Sequence, residues 1–157
     1  MKIQRFNQIE NIDRLAKIIF FNFIDLQNEP DIVFNINDIT SNLKSTGLLG
    51  WFLMDDDNKI IGYVIGELKT LTDGRYVYYI SYFYLVKKLR SQGLGYKLLL
   101  NCIEYITSIN VRYIMLISNV NSKAFKLYKQ LGFGFDPIVK INNPNYVVLL
   151  FYCNNTY

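Results

Sequence analysis

The stretch LVKKLRSQGLGYKLLL, from Leu85 to Leu100, changes character at its centre. Apolar residues lead into a basic cluster, two glycines follow one residue apart, and apolar residues then recur at helical spacing. A strand, a glycine turn and a helix in this order predict a βαβ unit, in which the helix is a right-handed crossover between parallel strands. This unit decides the fold, because it requires at least one parallel strand pair.

The glycine turn has the features of a phosphate site. The first turn of a helix carries N–H groups without intrahelical partners and a partial positive charge, and glycines let a ligand approach the backbone. Lys87, Lys88 and Arg90 add formal charge close to Gly93 and Gly95. The junction therefore indicates a pyrophosphate ligand, although a plain strand-to-helix turn explains two glycines equally well.

Two common phosphate motifs do not fit this turn. The sequence contains no G-x-x-x-x-G-K-[ST], and Leu98 stands where G-x-G-x-x-G has its third glycine. The pattern therefore supports neither a P-loop nucleotide triphosphatase nor a dinucleotide enzyme.

The composition predicts a folded, soluble protein. Of the 157 residues 51% are hydrophobic and 19% are charged, which indicates one packed domain over residues 1–157. The apolar runs are far shorter than the roughly 20 residues of a membrane-spanning helix, and the N-terminus does not resemble a signal peptide. We therefore expect an intracellular, cytoplasmic protein with no membrane partner.

Residue usage also narrows the chemistry. The chain has no histidine, and Cys102 and Cys153 lack the spacing of metal ligands. This excludes His-based metal sites and His-dependent triads, and we expect no bound metal. The net charge of +4 indicates an anionic partner, which could be a nucleic acid, an anionic membrane surface or a phosphorylated small molecule.

The hydrophobic pattern predicts elements in the order β, α, α, β, β, β, α, β, α, β. The predicted helices run from Ile9 to Leu26, closed by Pro30, from Asn37 or Asp38 to before Gly47, from Leu94 to Ile109, and over 122–131. The predicted strands are 2–6, 51–54, 60–68, 76–86, 112–117 and 146–152. This order predicts an α+β domain with a mixed, mostly antiparallel sheet flanked by helices.

Two motifs reinforce each other. RSQGLG, from Arg90 to Gly95, matches the pattern [RQ]-x-x-G-x-[GA], and NSKAFKLYKQLGF, from Asn121 to Phe133, matches N-x-x-A-x-x-x-Y-x-x-x-G-F. In these motifs, and in element order over nearly its full length, the chain resembles the GNAT superfamily of N-acetyltransferases. The resemblance implies a three-layer α/β/α GNAT fold, with acetyl-coenzyme A (acetyl-CoA) as co-substrate.

The resemblance also implies roles for residues. The glycine loop would hold the pyrophosphate, the end of the preceding strand would pair with the pantetheine arm between two splayed parallel strands, and Tyr128 would donate a proton to the departing thiolate. The implied cofactor-binding residues are Leu85, Val86, Lys87, Arg90, Ser91, Gln92, Gly93, Leu94, Gly95, Tyr96, Asn121 and Tyr128.

Some of these residues also fit ordinary structural roles. Asn121 or Ser122 could cap the helix that follows. Tyr128 shares a helical face with Ala124 and Leu131, as a core tyrosine would. The basic cluster could be a solvated surface, and Lys87 stands where the family usually has proline.

The general base departs from the family pattern. Ser81 stands at the position of a carboxylate that many members carry before the glycine loop, and Leu116 stands where others have Glu or His. Tyr79 matches a tyrosine that some protein N-terminal acetyltransferases use to activate the amine, although a sheet tyrosine packed for its bulk fits this position nearly as well. We therefore expect Tyr128, Tyr79 and Ser81 to be the catalytic residues, with Tyr79 and Ser81 lining a water path that leads to Glu67.

The leading hypothesis is direct transfer of acetyl from acetyl-CoA to a primary amine in a ternary complex. The amine could belong to a protein N-terminus, a lysine or a small molecule. One alternative is a catalytically inactive CoA-binding module, which Ser81 and Leu116 favour. A nucleic-acid binder is a further alternative that only the basic charge supports, and an apolar last strand makes a homodimer possible.

Overall fold

The computed structural model describes residues 1–24 and 35–153. Its sheet has the strand order β1-β2-β3-β4-β5-β7-β6. The strands are β1 (Lys2–Phe6), β2 (Leu48–Met54), β3 (Ile60–Thr70), β4 (Tyr76–Leu85), β5 (Tyr113–Asn119), β6 (Gly134–Phe135) and β7 (Tyr146–Tyr152). The helices are α1 (Ile12–Ile24), α2 (Ile36–Leu43), α3 (Leu94–Ser108) and α4 (Lys123–Leu131). The predicted α+β architecture with a mixed, mostly antiparallel sheet is confirmed.

Helices cover the two faces of the sheet differently. On one face α3 and α4 pack over a large apolar cluster that includes Trp51, Tyr78 and Ile114. On the other face α1 and α2 cover β2, β3 and the end of β4. The rest of that face, around Val77 and Met115, is covered by chain connections. The sheet is therefore the middle of three layers, as predicted.

Strands β4 and β5 are parallel only over a short length. Their ladder joins residues 77–79 of β4 to residues 113–115 of β5 and stops there. Strand β4 continues to Leu85 beside β3, and β5 continues to Asn119 beside β7. The two strands therefore separate beyond Tyr79 and Met115, and they leave a gap in the middle of the sheet, which we call the β4/β5 cleft.

A β-bulge lies in β4 beside this cleft. The register with β3 shifts by one residue between positions 65 and 66, which leaves Ser81 as the extra residue. Before the bulge Tyr78 and Ile80 face α3 and α4, whereas after it Phe83 and Leu85 do so. The bulge thus reverses which side chains of β4 point to each face.

Close backbone contact explains why β2 begins earlier than predicted. The strand starts at Leu48 and not at Trp51. Gly50 lies inside the strand, where an added Cβ would be 2.4 Å from Cζ of Phe6 and 2.8 Å from the carbonyl oxygen of Val64. This glycine therefore permits close packing and does not mark a turn.

Two short elements escaped prediction. Strand β6 has two residues, too few to show an alternating pattern, and it pairs with Leu149 and Leu150 on the outer side of β7. A 3₁₀ turn spans Lys87–Leu89 between β4 and the glycine loop. Leu26 and Pro30, at the predicted end of the first helix, lie outside the described residues. The homodimer expected at β7 stays a prediction.

The longest helix in the described ranges is α3, from Leu94 to Ser108. Within residues 1–24 and 35–153, no helix has both the length and the apolar character that crossing a membrane requires.

Candidate active site

The end of β4 presents backbone groups to the β4/β5 cleft. The N–H of Val86 donates to the carbonyl oxygen of Ile61 in β3, at 2.9 Å. Because successive residues of a strand direct their backbone groups to opposite edges, the N–H and C=O of Leu85 point into the cleft. The Leu85 carbonyl accepts a 2.8 Å hydrogen bond from Nε of Arg90. The N–H of Leu85 is therefore the backbone group of this residue that can bind a ligand.

The N-terminus of α3 has amides without helical partners. Gly93 is the N-cap residue with φ +81, and no side chain caps the helix. The first intrahelical bond runs from the N–H of Lys97 to the carbonyl of Gly93, at 3.1 Å. The N–H groups of Leu94, Gly95 and Tyr96 precede it and form the open donor set of the helix.

The two glycines of this loop do different work. An added Cβ at Gly93 would meet nothing within 4 Å, so this position faces open space, but its left-handed backbone favours glycine. An added Cβ at Gly95 would lie 3.3 Å from Cζ of Phe83 and 3.5 Å from Cδ2 of Leu127. Gly95 therefore packs the helix onto β4, and Gly93 leaves the donor set accessible. This cradle suits a pyrophosphate.

Charge and loop geometry support the same ligand. Ser91 has a left-handed backbone with φ +66, so the loop changes direction immediately before the glycines. Lys87, Lys88 and Gln92 are exposed beside it, and the Gln92 amide donates to the Lys88 carbonyl at 3.2 Å. The Arg90 guanidinium lies 5.4 Å from the ring centroid of Tyr84. The basic cluster therefore borders the cradle.

Tyr128 lies on the α4 side of the cleft. Its ring centroid is 6.0 Å from that of Phe83, the residue that also contacts Gly95, and 5.6 Å from that of Phe133. Burial raises the pKa of the Tyr128 hydroxyl well above its usual 10.0. Within the described part of the chain the hydroxyl has no hydrogen-bond partner. Every fully buried side-chain oxygen there has a partner, so the Tyr128 oxygen is not fully buried. The raised pKa therefore makes the hydroxyl a protonated hydrogen-bond donor at pH 7.

The start of α4 resolves the choice between two capping residues. The Ser122 hydroxyl accepts from the N–H of Phe125 at 3.1 Å, which makes Ser122 the N-cap. Asn121 is exposed, and its own N–H donates to Oδ1 of Asn119 at 2.8 Å. The Asn121 side chain is thus not needed for capping.

Tyr79 lies at the closed end of the cleft, on the face opposite α3 and α4. It pairs directly with Glu67 across β3 and β4. Nζ of Lys69 is 3.5 Å from Oε1 of Glu67 and 4.4 Å from the ring centroid of Tyr79. Burial, and secondarily the charge of Glu67, raise the pKa of Tyr79. The phenol is therefore neutral at pH 7 and serves as a hydrogen-bonding group.

Lys69 is absent from the residues expected from the sequence. The predicted strand 60–68 ends one residue before it, whereas β3 runs to Thr70 and so places residues 67 and 69 on one face. What the pattern lacked was the register that brings β3 next to Tyr79.

The two positions at which the family resemblance implies a general base differ in exposure. Ser81 is half-buried at the bulge, and Leu116 is 2% exposed in the cluster under α3 and α4. Neither side chain is a base, and Leu116 is a core residue. Glu67 is the carboxylate that the sheet register places beside Tyr79.

Comparisons with known proteins address the family directly. The sequence model of the Acetyltransferase (GNAT) family matches residues 10–133. A sequence search of curated proteins gave no match.

Solved structures share the fold at low identity. Arabidopsis thaliana NAA60 with a bisubstrate analogue is 16% identical, with 99% of this chain and 100% of that chain covered and a TM-score of 0.68; NAA60 was also solved with acetyl-CoA. The ribosomal-protein-S18-alanine N-acetyltransferase from Escherichia coli is 17% identical, with 99% of each chain covered and a TM-score of 0.70. A chain of the NatC complex bound to Gag peptide and CoA is 20% identical, with 97% of this chain and 99% of that chain covered and a TM-score of 0.71.

Proposed function

The chain belongs to the acetyltransferase (GNAT) family, and we propose that it transfers the acetyl group of acetyl-CoA directly to a primary amine bound at the same time. The β4/β5 cleft carries this proposal. It joins an uncapped helix N-terminus, the cleft-facing N–H of Leu85 and the protonated hydroxyl of Tyr128 along one gap in the sheet. A gap between parallel strands accommodates an extended ligand as an added strand.

Different residues around the cleft take part in cofactor binding and in proton transfer. Acetyl-CoA supplies an activated acetyl group when bound. The amides of residues 94–96 bind its phosphates, and the N–H of Leu85 is positioned for a carbonyl or amide oxygen. Tyr128 remains protonated because its pKa is raised, so it holds the proton that the departing thiolate needs.

The amine must lose a proton before it reacts. An unperturbed lysine amine has a pKa of about 10.4 and an unperturbed α-amino group one of about 8, so both are mostly protonated at pH 7. We propose that Tyr79 and Ser81 orient water between the amine and Glu67, which accepts the proton. The neutral phenol and its direct pairing with Glu67 support this path.

The acceptor that we propose to test first is a protein N-terminus. Two of the structural neighbours are described as a ribosomal-protein-S18-alanine N-acetyltransferase and as NatC with a Gag peptide. The NAA60 complex with a bisubstrate analogue supports simultaneous binding of both substrates. Lysine side chains and small amines belong in the same test.

The proposal is tested by binding and turnover together. Calorimetry should show CoA binding, and thiol release from acetyl-CoA should depend on an amine from a panel of free-N-terminus peptides, polyamines and aminoglycosides. Mass spectrometry should find the acetylated product. Absence of CoA binding would contradict the proposal.

A matched pair of glycine variants locates the binding site. Gly93→Ala forces a Cβ onto a backbone with φ +81, and we expect the CoA affinity to fall about fivefold to tenfold. Gly74→Ala makes the same change at φ +94 in the β3–β4 hairpin, also with open space around it. CoA affinity should be unchanged in that control. Equal effects in both variants would place the ligand elsewhere.

Ser81 and Leu116 favour a second function, a CoA-binding module without catalysis. It predicts CoA binding without thiol release for every amine in the panel. Turnover by any amine excludes it.

A further inference from the structure

A buried ion pair joins two segments that are far apart in the chain. Nη1 of Arg75, in the β3–β4 hairpin, donates to Oδ1 of Asp136 at 2.6 Å, and Nη2 donates to Oδ2 at 3.0 Å. The side chain of Asp136 is fully buried, and that of Arg75 is 12% exposed. Asp73 accepts from the other edge of the guanidinium, at 2.8 and 3.1 Å. We call Asp73, Arg75 and Asp136 the hairpin clamp.

Asp136 also organises the chain that follows it. Its Oδ2 accepts from the N–H of Val139 at 2.7 Å, and its own N–H donates to the carbonyl of Val148 at 2.9 Å. The carboxylate therefore fixes the first turn of the connection between β6 and β7, residues 136–145, and ties that turn to the hairpin. Arg75 holds the pKa of Asp136 below its usual value, which agrees with a permanently charged carboxylate.

The connection from 136 to 145 covers the sheet beside Tyr79. Ile141 packs on the apolar cluster formed by Val77, Met115, Val148 and Leu150, to which Tyr79 also belongs. No helix in the described residues packs there, because α1 and α2 cover the neighbouring cluster. Through Ile141 the connection packs on the same apolar cluster as Tyr79, on the face opposite α3 and α4. We call residues 136–145 the wall of the closed end of the β4/β5 cleft.

We propose that the hairpin clamp positions this wall for the amine substrate. The inference rests on the proposed transferase function, because the amine reacts at the Tyr79 end of the cleft. A buried ion pair gains little net stability over an apolar pair of the same size. However, a guanidinium and a carboxylate joined by two hydrogen bonds are both planar, so each fixes the orientation of the other. Its removal should move residues 137–145 and leave the glycine loop, on the other face, in place.

The experiment compares three variants of the full chain. Asp136→Asn removes the charge with little change in volume. Arg75→Lys keeps the positive charge but loses the two parallel N–H donors of the guanidinium. It is the milder change and replaces Asp136→Asn if that variant fails to fold. Asp56→Asn is the matched control, since Asp56 pairs with the N-terminal ammonium at 3.0 Å and is 95% exposed. Steady-state kinetics use acetyl-CoA and the panel peptide with the highest turnover, and amide hydrogen exchange follows residues 137–145.

Separate KM values distinguish positioning from general damage. In Asp136→Asn we expect the KM for the peptide to rise about tenfold or more, with kcat and the KM for acetyl-CoA changed less than about twofold. Arg75→Lys should show the same split with a smaller rise. Exchange should accelerate at 137–145 but not in α3. The control should match the wild type in both KM values, in kcat and in hydrogen exchange.

Contrary results separate the two proposals. If the wild type is active but the clamp variants keep its KM for the peptide, or change both KM values equally, the clamp proposal alone is overturned. Unchanged exchange at 137–145 would do the same. A wild type that transfers acetyl to no amine would overturn the proposed function and this inference with it.

Discussion

The two faces of the sheet build their functional groups in different ways. On the α3 and α4 face the groups are backbone amides at one helix end, together with Tyr128 from a single motif. On the opposite face Glu67, Tyr79 and the hairpin clamp come from two regions of the chain, the β3–β4 pair with its hairpin and the start of the β6–β7 connection. The first face needs only local chain geometry, whereas the second depends on the register of strands. The proposed cofactor side is therefore predictable from short motifs, and the proposed acceptor side is not.

Tyr128→Phe tests the cofactor side most strongly. Loss of a positioned proton donor should lower kcat by on the order of 100-fold to 1,000-fold. The KM for acetyl-CoA should change little, because the ring remains packed against Phe83. Since the raised pKa lies above 10, the wild-type rate should show no loss of this proton below pH 10.

The control for that change is Tyr105→Phe, which removes a hydroxyl from the same cluster at a ring 5.8 Å from Trp51. It should retain wild-type kcat. An equal loss in both variants would assign the effect of Tyr128→Phe to packing.

Gly66→Ala tests the bulge that assigns the side chains of β4 to the two faces. An added Cβ would lie 2.2 Å from the carbonyl oxygen of Tyr79 and 2.9 Å from Cζ of Tyr78, so β3 and β4 must move apart. We expect the free energy of unfolding to fall by about 2 kcal/mol, as for other overpacked sites. Urea denaturation measures it. Gly134→Ala, with open space around the new Cβ, should cost much less; equal losses would contradict the role given to the bulge.

Asp136→Asn gives the acceptor side a pH signature. Arg75 lowers the folded pKa of Asp136 below 3.8, so its stabilisation is complete above that pH and is lost as the pH falls through the folded pKa. We expect the variant to be less stable than wild type by about 1.5 kcal/mol at pH 7, as for a hydrogen bond to a charged group. The difference should shrink below pH 3.8.

Thermal unfolding at a series of pH values measures this gap. A gap that stays constant from pH 7 to pH 3 would show that Asp136 contributes to stability without its charge.

Tyr79→Phe is the smallest change of the series. Removing one hydrogen-bonding group from the proposed water path should lower kcat about tenfold, and more so at low pH where the amine is fully protonated. Rates from pH 6 to pH 9 with a saturating peptide measure this. Turnover equal to wild type at every pH would remove Tyr79 from the mechanism.

Prediction from the sequence worked where neighbours in the chain are neighbours in space. The helix after Gly93 and the crossover to β5 followed from glycines and helical spacing within one segment. Strand β6 and the early start of β2 did not follow, because pairing partners set them, with Gly50 packed against Phe6.

The candidate site shows the same division. The sequence allows either Asn121 or Ser122 to cap α4, and in the structure the Ser122 hydroxyl accepts from the N–H of Phe125. The bulge at Ser81 reverses the faces of β4, and no pattern in the sequence marks it. The bidentate pair of Arg75 and Asp136 joins residues 61 positions apart, a separation at which the sequence carries no geometric signal.

The sequence by itself determined the family motifs, the α+β order and the residues of the proposed phosphate cradle. These depend on backbone conformation within a few residues, which side-chain type and spacing dictate directly. Only the tertiary structure decided where β4 and β5 separate, which groups surround Tyr79, and what holds the β6–β7 connection. Those features arise when strands choose a register and distant charges are buried together, and both depend on packing of the whole sheet.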